Sequence, residues 1–198
     1  MHLRRFALAL AVPVVLAACG GGNDSPGTTA VAESSGPCRS VEAPEPKPDG
    51  GRQPPAGALD PAKTYRLVFD TSCGSFTVEL DQKQAPKTAA SLVALAESGF
   101  FGGTTFHRVV PGFVIQGGDP TGTGAGGPGY TIQDEPVTAS YSRGTVAMAR
   151  TPAPNSVGSQ FFIVLDDAAR PSLESANTYQ IIGSVTAGGE TVDKIAAA

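Results

Sequence analysis

"FHRVVPGFVIQGGD", residues 106–119, holds two short apolar runs parted by Pro111–Gly112, with one arginine inside the first. Runs of this length, bounded by glycine and proline, read as strands rather than helices. Arg108 has no acidic residue near it in sequence until Asp119, while Phe106, Val109, Val110, Phe113, Val114 and Ile115 around it are apolar. Taken alone, such an arginine is most simply a surface residue with its stem laid along a strand. A binding site that needs a permanent charge is the other use for it.

Working outward, the same punctuation recurs. Apolar runs at 105–110, 113–117, 144–149, 160–165 and 179–185 are divided by Gly and Pro. Upstream, "YRLVFD" and "SFTVEL" flank "TSCG", and Phe76, Val78 and Leu80 alternate with Thr77 and Glu79. This pattern predicts a β-hairpin with one buried face. "FFIVL" at 161–165 has no polar alternation, so that strand is expected to be covered on both sides. "APKTAASLVALAESGFFGG" at 85–103 reads as a helix. Pro86 suits its first position, Ala89, Leu92, Val93 and Ala96 share a face, and Gly99 suits its end. "TVDKIAAA" at 191–198 starts a second helix. About seven short strands with two helices make the chain mainly β, a barrel or sandwich with helices closing its ends.

With 198 residues, 40% apolar and 16% charged, the chain is expected to be one globular domain plus an extension. Most of the proline lies before residue 62. Met1–Arg5 is basic, Phe6–Leu16 is apolar, and "LAAC" follows at 16–19. That is an export signal, too short to span a bilayer as a mature helix. The "LAAC" ending resembles the lipobox of bacterial lipoproteins, which implies cleavage before Cys19 and acylation of its thiol. An ordinary signal peptide that happens to contain a cysteine is the alternative. The resulting division is a signal over 1–18, a Pro/Gly/Ser-rich lipid-tethered linker over 19–61, extended or disordered, and a folded domain over 62–198.

Loss of Arg4 and Arg5 with the signal leaves 12 basic against 18 acidic residues, a net charge of −6. This argues against a nucleic-acid partner, which calls for a basic face. Membrane attachment must then come from acyl chains rather than from charge. Outside the cytoplasm Cys38 and Cys73 are expected to pair and pin the end of the linker to the domain, two free thiols being the alternative. No histidine accompanies either cysteine at metal-ligand spacing, so no metal is expected. His107 is the mature chain's one histidine and is expected to be a packed, hydrogen-bonded core residue. Neighbours on a strand point to opposite faces, so only one of His107 and Arg108 can face a groove.

"FHRVVPGFVIQGGD", "GTVAMAR" and "NSVGSQFFIVL", in this order and spacing, resemble the cyclophilin family of peptidyl-prolyl cis-trans isomerases. "CGSFTVEL" followed by "APKTAASL" extends the resemblance over Thr64 to the C-terminus. The resemblance implies a closed antiparallel β-barrel capped by two α-helices. In the family a further strand follows the helix begun at "TVDKIAAA"; the sequence stops at Ala198 without it, and a truncated chain is expected.

By the same resemblance Arg108 is the catalytic arginine and Gln116 its supporting glutamine. Phe113, Val114, Phe162, Leu173 and Tyr179 would line a proline pocket. Ala149, Arg150 and Gln160 would border the groove that takes the residues before proline. Val114 stands where methionine is usual, Arg150 replaces an asparagine, Tyr179 a frequent histidine and Ser172 a frequent tryptophan. "TGTGAGGPGY" at 121–130 would be the family's glycine-rich loop beside that groove; it lacks the Lys-Ser/Thr of a phosphate-binding loop. The reaction so implied is X-Pro isomerisation in unfolded or partly folded exported polypeptides. It would run without a cofactor, in a monomer held by lipid to the extracytoplasmic side of the cell membrane. A non-catalytic proline-peptide binding module or holdase is the alternative function. A purely structural lipoprotein would leave the Arg108, Gln116, Gln160 and Phe162 set without a use.

Overall fold

The computed structural model describes residues 36–176 and 178–198; the signal-like segment and Cys19 lie outside the described residues. Among the described residues seven strands form one antiparallel sheet: β1 Arg66–Thr71, β2 Gly74–Leu80, β3 Arg108–Val110, β4 Val114–Gly117, β5 Thr145–Met148, β6 Phe161–Val164 and β7 Ile181–Ala187. Their spatial order is β1-β2-β7-β5-β6-β4-β3, and the sheet curls into a half-barrel. The mainly β expectation stands. Among the described residues no strand pairs with the outer edge of β1 or of β3.

The strands follow the expected runs, trimmed at the ends. The hairpin closes through Ser72–Cys73 with Phe69 opposite Phe76, their rings stacked at 4.7 Å. β6 is buried along its whole length, as its unbroken apolar sequence requires. Phe161 and Ile163 enter the main core with Phe76, Leu92, Ile115 and Met148. Phe162 and Val164 enter a second, smaller core on the other face with Val114, Ala147 and Leu173. Alternate side chains on a strand face opposite ways, so one strand feeds two cores.

Among the described residues there are three α-helices, one more than expected: α1 Pro86–Glu97, α2 Arg170–Ala176 and α3 Gly189–Ala197. The sequence reading misses α2 because "RPSLESA" buries only Leu173 and shows no helical stripe. A 3₁₀ turn, Asp167–Ala169, precedes α2, and the Asp166 side chain caps that turn by accepting from the Ala168 N–H. α1 has no local side-chain cap at Ala85. Its cap comes from Glu135, whose carboxylate accepts from the Lys87 N–H at 2.8 Å, the Thr88 N–H at 3.1 Å and the Thr88 hydroxyl at 2.9 Å. A carboxylate at a helix N-terminus satisfies orphan donors and suits the helix dipole. Buried Gln180 also donates to Glu135, tying α1 to the start of β7.

Residues 36–61, expected as spacer, form no helix or strand, but they are laid against the domain. Cys38 and Cys73 are disulfide-bonded, and the Arg39 N–H donates to the Ser72 carbonyl at 2.8 Å. Further along, the Lys47 N–H donates to Pro120, Gly50 to Gly127 and Arg52 to Pro128, at 2.9 to 3.0 Å. The Arg52 guanidinium sits 5.8 Å from the Phe100 ring centre.

Candidate active site

Antiparallel register assembles the site. Arg108 on β3 pairs with Gln116 on β4, Gln116 pairs with Phe162 on β6, and Phe162 pairs with Ala147 on β5. Directly paired residues project to the same face, so these four form one row across the sheet. Val114, two residues before Gln116, shares that face.

α2 and the segment entering β7 rise beside the row and close a cavity of about 270 Å³. Its wall holds all five residues expected of the proline pocket, Phe113, Val114, Phe162, Leu173 and Tyr179, with Arg108 and Gln116 at one side. Ala149 and Arg150 form the rim, and Ser172 of α2 joins it. The Phe162 and Tyr179 rings meet edge to face at 5.4 Å. Val114, Phe162 and Leu173 are buried, which makes an apolar floor suited to a pyrrolidine ring.

Gln160 does not touch this cavity. Its Oε1 accepts from Gln116 Nε2 at 3.0 Å, and its Nε2 donates to the Gly124 and Gly126 carbonyls, each at 2.9 Å. Gln116 Oε1 in turn accepts from Arg108 Nη1 at 3.5 Å, a long contact of the sort that shortens when a substrate is bound. A chain of amides therefore links the glycine-rich loop to the guanidinium. Arg108 is exposed on the open side of the cavity and forms no ion pair among the described residues.

Two expectations change. His107 points away from the cavity, as strand alternation demands, but neither ring nitrogen has a hydrogen-bond partner. It packs under Gly124, where an added side chain would come within 3.7 Å of the ring. Arg150 borders the groove, yet its guanidinium is committed elsewhere. It pairs with Asp134 at 3.0 Å and donates to the Thr151, Ala153 and Thr178 carbonyls, with its side chain only 11% exposed. It stitches the loop after β5 rather than offering a free charge.

Sequence reading missed Tyr141. Its fully buried hydroxyl donates to the Tyr179 carbonyl at 2.6 Å and so holds the pocket wall from behind. Burial outweighs that hydrogen bond and pushes the phenol up to about 12. Nothing local in "ASYSRG" marks this contact, which spans 38 residues.

Asp119 anchors the glycine-rich loop. It is fully buried and accepts from the Thr121 N–H at 2.7 Å, the Thr121 hydroxyl at 2.9 Å and the Gly124 N–H. Burial alone would raise its carboxyl, but the hydrogen bonds from Thr121, Gly124 and Gly126 outweigh that and hold it below its ordinary value. Just before it, Gly118 has φ +85°, and an added Cβ would lie 2.4 Å from the Ser159 carbonyl oxygen. Only glycine allows β4 and the start of β6 to approach this closely beside the site.

Comparison with known proteins places the chain in a family. Residues 66–198 match the family model described as cyclophilin type peptidyl-prolyl cis-trans isomerase/CLD. A peptidyl-prolyl cis-trans isomerase-like 1 of Aspergillus fumigatus is 43% identical over 134 residues, covering 65% of this chain and 80% of the relative. A peptidyl-prolyl cis-trans isomerase of Helicobacter pylori is 38% identical over 152 residues, covering 69% and 90%. Among solved structures, a cyclophilin-type isomerase of Cryptosporidium parvum superposes with a TM-score of 0.62 at 37% identity, covering 68% of this chain and 85% of that one. The same Cryptosporidium protein, crystallised in the presence of the dipeptide Ala-Pro, gives a TM-score of 0.62 at 38% identity, over 67% and 85%.

Proposed function

The chain belongs to the cyclophilin-type peptidyl-prolyl cis-trans isomerases, and from that membership we propose that it isomerises X-Pro bonds in exported polypeptides while tethered through lipid on Cys19. The observation that carries the catalytic assignment is the row Arg108–Gln116–Phe162, which sets an unpaired guanidinium at the edge of an apolar cavity.

The X-Pro amide turns over a barrier of roughly 18–20 kcal/mol because the nitrogen lone pair is delocalised into the carbonyl, so unaided isomerisation takes tens to hundreds of seconds. Rotation localises that lone pair on nitrogen. A donor aimed at the nitrogen then binds the twisted amide more tightly than either planar form, and each ~1.4 kcal/mol of such preference is tenfold in rate. Val114, Phe162 and Leu173 hold the proline ring. Arg108 supplies a planar fork of N–H donors. Gln116 fixes the guanidinium through a neutral acceptor, so the positive charge is not spent on a carboxylate.

Slow proline steps limit folding, and a membrane tether would hold the site where exported chains emerge. The signal-like segment 1–18 and the Cys38–Cys73 bond, which suits an oxidising compartment, support that location. Exchange NMR on an Ala-Ala-Pro-Phe peptide is expected to show faster cis/trans exchange with the protein, lost in Arg108→Ala. Binding without acceleration would put a non-catalytic proline-peptide module in its place. Mass spectrometry of the membrane fraction is expected to find Cys19 at the N-terminus carrying acyl mass; a soluble product cut elsewhere would refute the tether.

A further inference from the structure

A second cavity of about 640 Å³ adjoins the first, and Gln116, Ala149 and Arg150 line both. Its other walls are the glycine-rich loop, the segment Gly158–Gln160 and, from outside the 62–198 domain, Asp49. Substrate residues ahead of proline would run across Ala149 and Arg150 into it.

Asp49 is built into this wall. The Gly127 N–H donates to Asp49 Oδ1 at 2.7 Å while the Gly127 carbonyl accepts from the Gly50 N–H at 3.0 Å, so one loop residue is gripped from both sides. Close packing fixes the approach: an added Cβ on Gly129, at φ +93°, would lie 2.8 Å from Gly50 Cα. The disulfide at Cys38 and the Lys47 ammonium, which donates to the Phe100 and Gly102 carbonyls, anchor the strap upstream.

Two charged residues line this cavity, Asp49 and Arg150. Arg150 is neutralised by Asp134 at 3.0 Å. Asp49 is exposed and forms no ion pair among the described residues. The pocket therefore carries one uncompensated negative charge. We propose that Asp49 is a specificity-determining residue of the groove, selecting polypeptides with lysine or arginine shortly before the isomerised proline and disfavouring those with acidic residues there. This selection rests on the isomerase reading and adds the substrate class to it.

An exposed charge pair of this kind discriminates by roughly two- to fivefold and is screened by salt. The test uses the full chain with its disulfide formed, and peptides bearing Lys or Glu two, and separately three, residues before proline. Exchange NMR gives kcat/KM, and calorimetric titration gives affinity for the same peptides. At one of the two positions the Lys/Glu ratio is expected at about two- to fivefold in low salt, falling towards one in 0.5 M salt and in Asp49→Asn. The asparagine amide oxygen still accepts from Gly127, so that variant removes the charge and keeps the loop gripped. The ratio is taken within one preparation, which makes it independent of the active fraction. Equal ratios in wild type and Asp49→Asn at both positions would overturn the proposal while leaving the isomerase reading intact. Charge-selective binding without faster exchange would overturn the isomerase reading and leave the role of Asp49 standing.

Discussion

Gln116 faces Arg108 across the β3–β4 pair, and its Oε1 accepts from Arg108 Nη1 at 3.5 Å while its Nε2 donates to Gln160 at 3.0 Å. The guanidinium is thus aimed by an amide that is itself held at its other end. Removing a preorganised donor to developing charge costs about 10²–10³ in rate. Arg108→Ala is expected to lose about a hundredfold in kcat/KM by exchange NMR. Arg108→Lys should restore little, because a point-like ammonium cannot reproduce the planar fork that Gln116 orients. Gln116→Ala should lose about tenfold, one charge-assisted hydrogen bond's worth. Full activity in Arg108→Ala would refute the assigned role.

Tyr141→Phe removes the donor to the Tyr179 carbonyl and leaves that oxygen unsatisfied at the back of the pocket. The expected cost is about 1–3 kcal/mol in urea unfolding, with a raised KM as Tyr179 loosens. The wild type has an alkaline signature as well. Its Tyr141 phenol, pushed up to about 12, keeps its proton in the fold after the unfolded chain releases it near 10. Between those values the native state binds more protons, so stability falls as pH rises, by up to roughly 2–3 kcal/mol. Urea midpoints between pH 9 and 11 should decline more steeply in wild type than in Tyr141→Phe.

Asp119 acts at the opposite end of the scale. Its carboxyl is held low by loop hydrogen bonds, so it contributes stability above the ordinary carboxylate pKa of about 4. That contribution is lost as pH falls through the lower folded value. Asp119→Asn is expected to unfold at lower urea concentration at pH 7, by about 1–3 kcal/mol. The gap between wild type and variant should narrow as pH falls below the ordinary carboxylate value. A constant gap from pH 7 to pH 2 would show that ionisation of Asp119 does not matter.

The Cys38–Cys73 bond closes a loop with a sequence separation of 35. Chain-entropy arguments put its stabilisation at about 2–4 kcal/mol. Reduction, or Cys73→Ser, is expected to lower Tm by several degrees and to open residues 39–58 to limited proteolysis. An unchanged Tm and an unchanged cleavage pattern on reduction would show that the strap is held by its backbone hydrogen bonds alone.

Much of the candidate site was legible in sequence because its residues fall in short runs of specific order. Arg108, Phe113, Val114 and Gln116 sit within nine positions, and "FFIVL" announced a strand covered on both faces. α2 was not legible, since a seven-residue helix burying one leucine leaves no periodic trace. Nor was the neutralisation of Arg150: Asp134 lies sixteen residues upstream on another loop, and nothing in either segment marks the pair. The hydrogen bond expected of His107 is absent because the glycine-rich loop packs over the ring without aiming a polar group at it.

By itself, then, the sequence determined the strand-rich class, the isomerase family and the identity of the groups that line the candidate pocket, because period-two patterning and family motifs are local properties of the chain. Tertiary structure alone decided how those groups cooperate. Cross-strand register set Arg108, Gln116 and Phe162 in one row through two pairings, one of them between positions 46 residues apart, that no local pattern encodes. It also brought a proline-rich segment that reads as a spacer into the wall of the second cavity, through Asp49. Docking depends on backbone donors and acceptors meeting across a glycine-to-glycine contact, and Gly50 and Gly129 reveal that fit only when the two segments are brought together.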